Sequence, residues 1–142
     1  MRLRIVTPLS VVVDEPAASL RAEDASGGFG LLDGHAPFLT ALEVCIVSWR
    51  PSGDDAAAER FCAVRGGAMT VTGGPVTAVD IATREAVAGD DLATLDAEVL
   101  ARFEADAEDE RVEHVAALRL QLDAIRRMVS RLHARGDAGR FR

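Results

Sequence analysis

The 142-residue chain has no lysine: its 16 basic side chains are all arginines, set against 23 acids for a formal charge of −7. Genomic base composition explains the missing lysine as readily as selection does, so it carries no functional weight. The acidic balance argues against general nucleic-acid binding, because phosphate neutralisation needs a basic surface. No apolar run approaches the roughly 18 residues of a spanning helix, and direct membrane insertion is not expected. Cysteine is scarce. Cys45 and Cys62 each sit inside an apolar run without metal-ligand spacing, and read as buried free thiols of a cytosolic protein. The opening "MRLRIVTPLSVVVDEPAAS" has the early arginines and small residues of a signal peptide. Thr7, Pro8 and Ser10 interrupt its apolar stretch, so export is not expected.

Catalytic constellations are also missing. His35 follows a glycine-rich turn near Asp33, but a general base needs an orienting partner and an opposing nucleophile or electrophile stabiliser. The sequence has no serine nucleophile elbow, and neither cysteine has a protease-like context. Gly28 and Gly30 form Gly-x-Gly without the third glycine or following helix of a dinucleotide site, and no phosphate-loop pattern occurs. His114 and His133 fall on helical sequence, where solvated or stripe-edge roles are the default. The chain therefore reads as a non-enzyme, with no metal and no cofactor.

What is present divides into two parts. Short β-branched runs ("RLRIV", "VVV", "EVCIVSW", "RFCAV", "MTVT", "VTAVDI") alternate with turn signals at "PSGDD", "RGG" and "TGGP". This part, residues 1–88, predicts an all-β domain, an antiparallel sandwich or barrel. Residues 89–142 follow a different pattern, with neither glycine nor proline between Asp90 and Arg135 and with Ala, Leu, Glu and Arg dominant. Asp90 and Asp91 offer N-cap chemistry. Leu92, Leu95, Val99 and Phe103 make one apolar stripe; Val115, Leu118, Leu122, Ile125, Val129 and Leu132 make a second. The two are out of phase across "EADAEDERVE". That predicts two helices with a turn in the acidic segment, then fraying at Gly136 and Gly139. One bent helix is the alternative, because no strong breaker sits there.

Charge follows the same division. Residues 91–113 hold nine acids and two arginines, whereas residues 114–142 hold two acids and seven arginines. Arg119 and Arg126 flank the second stripe, and Arg127, Arg131 and Arg135 form an i, i+4 ladder on the opposite face. Such a face is either simply solvated or carries arginines to a carboxylate-rich partner, a role suited to their bidentate geometry.

The stretch "GGFGLLDGHAPFLTAL" reads as a stiff surface loop, with glycines permitting close backbone approach and Pro37 extending Ala36. Followed by "AVRGGAMTVTGGPVTAVDIA" and a helical tail, it closely resembles the epsilon subunit of F-type ATP synthases. The likeness runs from about Leu3 to Leu132. It implies a ten-stranded antiparallel β-sandwich and a C-terminal α-helical hairpin. It also implies a non-catalytic rotor subunit that binds the gamma subunit and the polar loops of the c ring during proton- or sodium-driven ATP synthesis. Such a subunit would lie peripherally on the cytoplasmic face of a bacterial inner membrane.

By matching position, the c-ring contact falls on Ser26, Gly27, Gly28, His35 and Ala36. The basic helix would approach a catalytic beta subunit of the alpha/beta hexamer through Arg119, Arg126, Arg127 and Arg131, and could block ATP hydrolysis. Departures from the pattern are Asp33 (usually Pro or Asn), Gly28 (an acid in some members) and Arg65 before the double glycine. The ATP-binding motif of some members corresponds to "LATLDA", whose Asp and Arg positions hold Ala93 and Asp96. That argues against ATP sensing. The competing reading is a free-standing nucleotide or small-ligand sensor with the same two-part build.

Overall fold

The computed structural model describes residues 1–53 and 58–140, so Asp54 and Asp55 of the "PSGDD" turn lie outside it. Seven strands come first: β1 (Arg2–Val6), β2 (Val11–Asp24), β3 (Gly27–Leu32), β4 (Phe38–Pro51), β5 (Arg60–Thr72), β6 (Ala78–Ala82) and β7 (Ala86–Gly89). A short turn α1 (Leu92–Thr94) and a π-helical segment (Leu95–Leu100) lead into α2 (Ala101–Arg140).

Alternation sets the inner face. In β1, Leu3 and Ile5 are fully buried while Arg2 and Arg4 point outward. The strands form a circuit β1–β6–β5–β4–β2 that closes through the β2–β1 pairing, with β3 added beside β2 and β7 beside β5. Closure gives the sandwich its barrel-like character and leaves only short strands with a free edge. Within it, Leu3, Ile5, Leu20, Leu31, Val47, Val64, Met69, Val71, Val79 and Ile81 make the core.

Three expectations need correction here. The strand count is seven rather than ten, because β2 and β5 are long strands that change partners along their length instead of breaking at turns, and β4 runs unbroken between them. β2 pairs with β1 over residues 11–16 and with β3 over residues 19–24. β5 pairs with β7 over residues 61–64 and with β6 over residues 68–72. "RGG" therefore lies inside β5, where Gly66 and Gly67 take positive φ (66° and 124°), and is not a turn. The sheet is also not purely antiparallel, since β1 and β6 pair in parallel from Arg2↔Ala78 to Val6↔Ala82.

The third correction concerns the hairpin. A single helix runs through "EADAEDERVE" and on past Gly136 and Gly139. Nothing in the acidic run breaks hydrogen bonding, and a change of stripe phase alters which face is apolar without altering the backbone. Contacts divide the chain into two compact units, Met1–Ala105 and Asp106–Arg142. Within the first, Leu95 and Phe103 are buried with Ala63, beside Val44, Ile46, Phe61, Val87 and Val99. Arg102 bridges to Glu85 at 2.7 Å. In the second unit the whole second stripe, from Val115 to Leu132, is exposed.

Candidate functional site

The glycine-rich loop is organised by a residue that motif reading passed over. Asp24, the last residue of β2, accepts from the Ser26 backbone N–H (2.9 Å) and from the Ser26 hydroxyl through Oδ1, and from the Thr40 hydroxyl (2.9 Å) through Oδ2. One carboxylate thus ties the β2–β3 turn to β4. Those hydrogen bonds, from Ser26 first and then Thr40, hold the Asp24 carboxyl below its usual range. The signal available in the sequence was an acid two residues before a serine at a strand end, the pattern of an Asx turn.

Gly27 then takes φ +118°, which an L side chain rarely adopts, and Gly28 opposes Glu23 in the β2–β3 ladder. Gly34 also has positive φ (82°), and its N–H donates to Thr77 Oγ1 at 2.9 Å and Asp33 Oδ1 at 3.1 Å. The Thr77 hydroxyl and the Met1 ammonium, 3.6 Å from Oδ1, hold the Asp33 carboxyl below its ordinary value. Asp33 therefore serves as a local anchor.

His35 sits in this turn with its backbone N–H on the Leu32 carbonyl at 3.3 Å. Its Nδ1 lies 2.8 Å from the Ala36 carbonyl oxygen, and its ring centroid 5.1 Å from that of Phe38. Phe38 in turn meets Phe29 edge-on at 6.1 Å. This exposed imidazole donates to its neighbour's carbonyl and lies tilted beside an aromatic ring, and no carboxylate among the described residues orients it as a base. Ser26, Gly27, Gly28, His35 and Ala36 are all exposed: Gly27 and Gly28 open β3, Ser26 precedes it, and His35 and Ala36 follow its far end.

The second predicted group lies on α2. Arg119, Arg126, Arg127 and Arg131 are exposed, and Arg126 approaches Asp123 at 4.0 Å, one turn earlier. His133 Nδ1 lies 3.0 Å from the Val129 carbonyl oxygen, a bond back along the helix. At the helical start, Asp91 is the N-cap, accepting from Ala93 N at 3.0 Å and Thr94 Oγ1 at 2.6 Å. Ala93 and Asp96 are exposed, and neither supplies a guanidinium. The two cysteines are buried, and burial pushes the thiols up, to about 11 for Cys45 and about 12 for Cys62. No helix is long and apolar enough to cross a membrane, and the described residues contain no cluster fit to hold a metal ion.

Residues 1–89 match the family model of the β-sandwich domain of the ATP synthase delta/epsilon chain. An ATP synthase epsilon chain 2 from Cereibacter sphaeroides is 44% identical over 134 residues, 93% of this chain and 88% of that one. Another, from Paraburkholderia xenovorans strain LB400, is 41% identical over 140 residues and spans 97% of both. Among solved structures, a chain of the Euglena gracilis mitochondrial ATP synthase (OSCP/F1/c-ring) has the same fold. It superposes with a TM-score of 0.52 at 24% identity, over 61% of this chain and 51% of that chain.

Proposed function

The chain belongs to the epsilon family of rotary ATP synthases, as a non-catalytic accessory subunit, and on that premise we propose how it works. It binds the gamma subunit through the β-sandwich and couples gamma to the c ring, so that ion flow through the membrane sector turns the stalk that drives ATP synthesis. The c-ring contact is the face formed by Ser26, Gly27, Gly28, His35 and Ala36. The complex holds the subunit peripherally at the cytoplasmic face of a bacterial inner membrane.

One observation carries this reading: identity above 40% with epsilon chains over nearly the full length, tail included. The turns at both ends of β3 support the contact face. They expose main-chain groups and small side chains on a backbone fixed by Asp24, Asp33 and Thr77. A docking surface benefits from such pre-organisation, since less ordering entropy is lost on assembly. For regulation, α2 presents Arg119, Arg126, Arg127 and Arg131 to an acidic segment of a catalytic beta subunit and restrains ATP hydrolysis.

Co-purification tests the assignment. The full chain should associate with the gamma subunit encoded alongside it, and removal of residues 91–142 should leave that association intact. Failure of the full chain to bind gamma would sink the reading. In the assembled enzyme, reversing the charge of Arg119, Arg126 and Arg127 should raise ATP hydrolysis; unchanged hydrolysis with the subunit still bound would leave these arginines as a solvated face.

A further inference from the structure

The arginines of Met1–Ala105 are almost all neutralised. Arg2 pairs with Asp14 at 2.9 Å, Arg4 with Asp80 at 3.1 Å, Arg60 with Glu15, and Arg102 with Glu85 at 2.7 Å. Arg65 lies 4.0 Å from Glu85, and Arg84 is engaged as well. Arg21 and Arg50 alone lack an ion pair or hydrogen bond among the described residues of this unit. They are also neighbours. Arg21 opposes Ser48 and Ser19 opposes Arg50 across the β2–β4 ladder, so all four side chains stand on one outward face. The guanidinium stems start from diagonal positions about 7 Å apart, each beside a hydroxyl.

This square sits in a trough. Two hollows of about 460 Å³ each share Arg21, Gly30 and Ser48, so they form one depression along β2, β3 and β4. β3 is at the end of the sheet, paired only with β2. Opposite Arg21 it carries Gly30, where even a methyl group would touch the Arg21 Cγ at 4.0 Å. Glu59 lines one of the two hollows together with Arg50, and Glu23 lines the other together with Arg21, so each arginine has one carboxylate near it but no ion pair with it.

We propose that this trough docks an extended segment of a partner protein bearing acidic side chains at alternate positions, gripped by Arg21 and Arg50. In an extended chain, residues i and i+2 point the same way about 6.6 Å apart, which matches the diagonal spacing of the two arginines. Each guanidinium offers a fork to one carboxylate, with the Ser19 and Ser48 hydroxyls supplying further donors. Two cations side by side, with no ion pair among the described residues, repel each other, and an acidic occupant relieves the repulsion. Glu23 and Glu59 repel acids placed next to them, which restricts the register of the segment.

The test uses the isotope-labelled full chain and a capped hexapeptide of alternating serine and glutamate, followed by backbone NMR at low salt. Saturable shifts are expected at Ser19, Arg21, Gly30, Ser48 and Arg50. R21S and R50S, both at exposed positions, should each weaken binding about tenfold or more, and R21K and R50K less than that. A peptide with serine replacing every glutamate should not bind. Shifts confined to residues 114–142, or affinity unchanged in the R21S/R50S double variant, would overturn the proposal. So would sodium phosphate saturating the same resonances as tightly as the peptide, since the site would then take simple anions. Gamma association measured on R21S/R50S separates this outcome from failure of the functional reading.

Discussion

A Cβ atom placed on Gly67 would lie 2.1 Å from the Ala82 carbonyl oxygen. Gly67 also has φ +124°, in the middle of β5, just where that strand takes β6 as its partner. The double glycine is therefore a packing requirement of the sheet. Gly67→Ala should lower stability by more than about 2 kcal/mol, combining backbone strain with displacement of β6. Gly66→Ala meets only the Leu42 carbonyl oxygen at 3.2 Å and should cost less. Chemical denaturation of both variants checks the order, and equal costs would count against it.

The buried thiols set an alkaline limit. With folded values raised by burial to about 11 for Cys45 and about 12 for Cys62, against an ordinary 9.0, the unfolded chain ionises first as pH rises. Stability should thus be unaffected by these groups below pH 9.0 and should fall through the interval up to about 12. Replacing both cysteines with alanine should flatten that part of the stability–pH curve. A thiol reagent at neutral pH should label the native chain only at the rate of its opening.

Asp24 should show the opposite pH behaviour. Its lowered carboxyl favours the folded state above the ordinary value of 3.8, and that contribution disappears as pH falls through the folded value. The Ser26 and Thr40 resonances should therefore titrate with a midpoint below 3.8 and lose this transition in Asp24→Asn. If Asp24 positions the contact turn, Asp24→Ala should also weaken c-ring association while leaving gamma binding in place. A midpoint at the unperturbed value would argue that the turn hydrogen bonds are transient in solution.

Alternation in "RLRIV" and the β-branched runs made the β domain legible, and the sequence from Asp90 onward made the helical one legible. Strand number was not legible, because glycines that signal a turn also permit a bend within a strand, as Gly66 and Gly67 do in β5. Parallel pairing of β1 with β6 joins residues more than seventy positions apart, beyond the reach of any local pattern. The stripe phase break at "EADAEDERVE" misled for another reason. It records which residues meet a partner, and an exposed helical face is under no such demand. At the candidate site, the glycines and His35 were visible as motif residues. Asp24 was not, because its role comes from Thr40, sixteen residues away on another strand.

Phe103 decides how the start of α2 is held. It is fully buried beside Leu95 and Ala63, and the neighbouring Arg102 pairs with Glu85 at 2.7 Å and lies 5.2 Å from the Phe103 ring centroid. The ion pair is exposed, so its share is small beside the buried aromatic ring. Phe103→Ala should cost about 3–5 kcal/mol of the packing that fixes this segment. Because Leu3, Ile5 and Val47 belong to a different buried cluster, the sandwich should stay folded. Hydrogen exchange should then speed up across residues 92–105 and remain slow in β1, β4 and β6. Arg102→Ala should produce a much weaker change in the same amides. Uniform acceleration across both clusters would mean that the helix base and the sandwich core unfold as one cooperative unit.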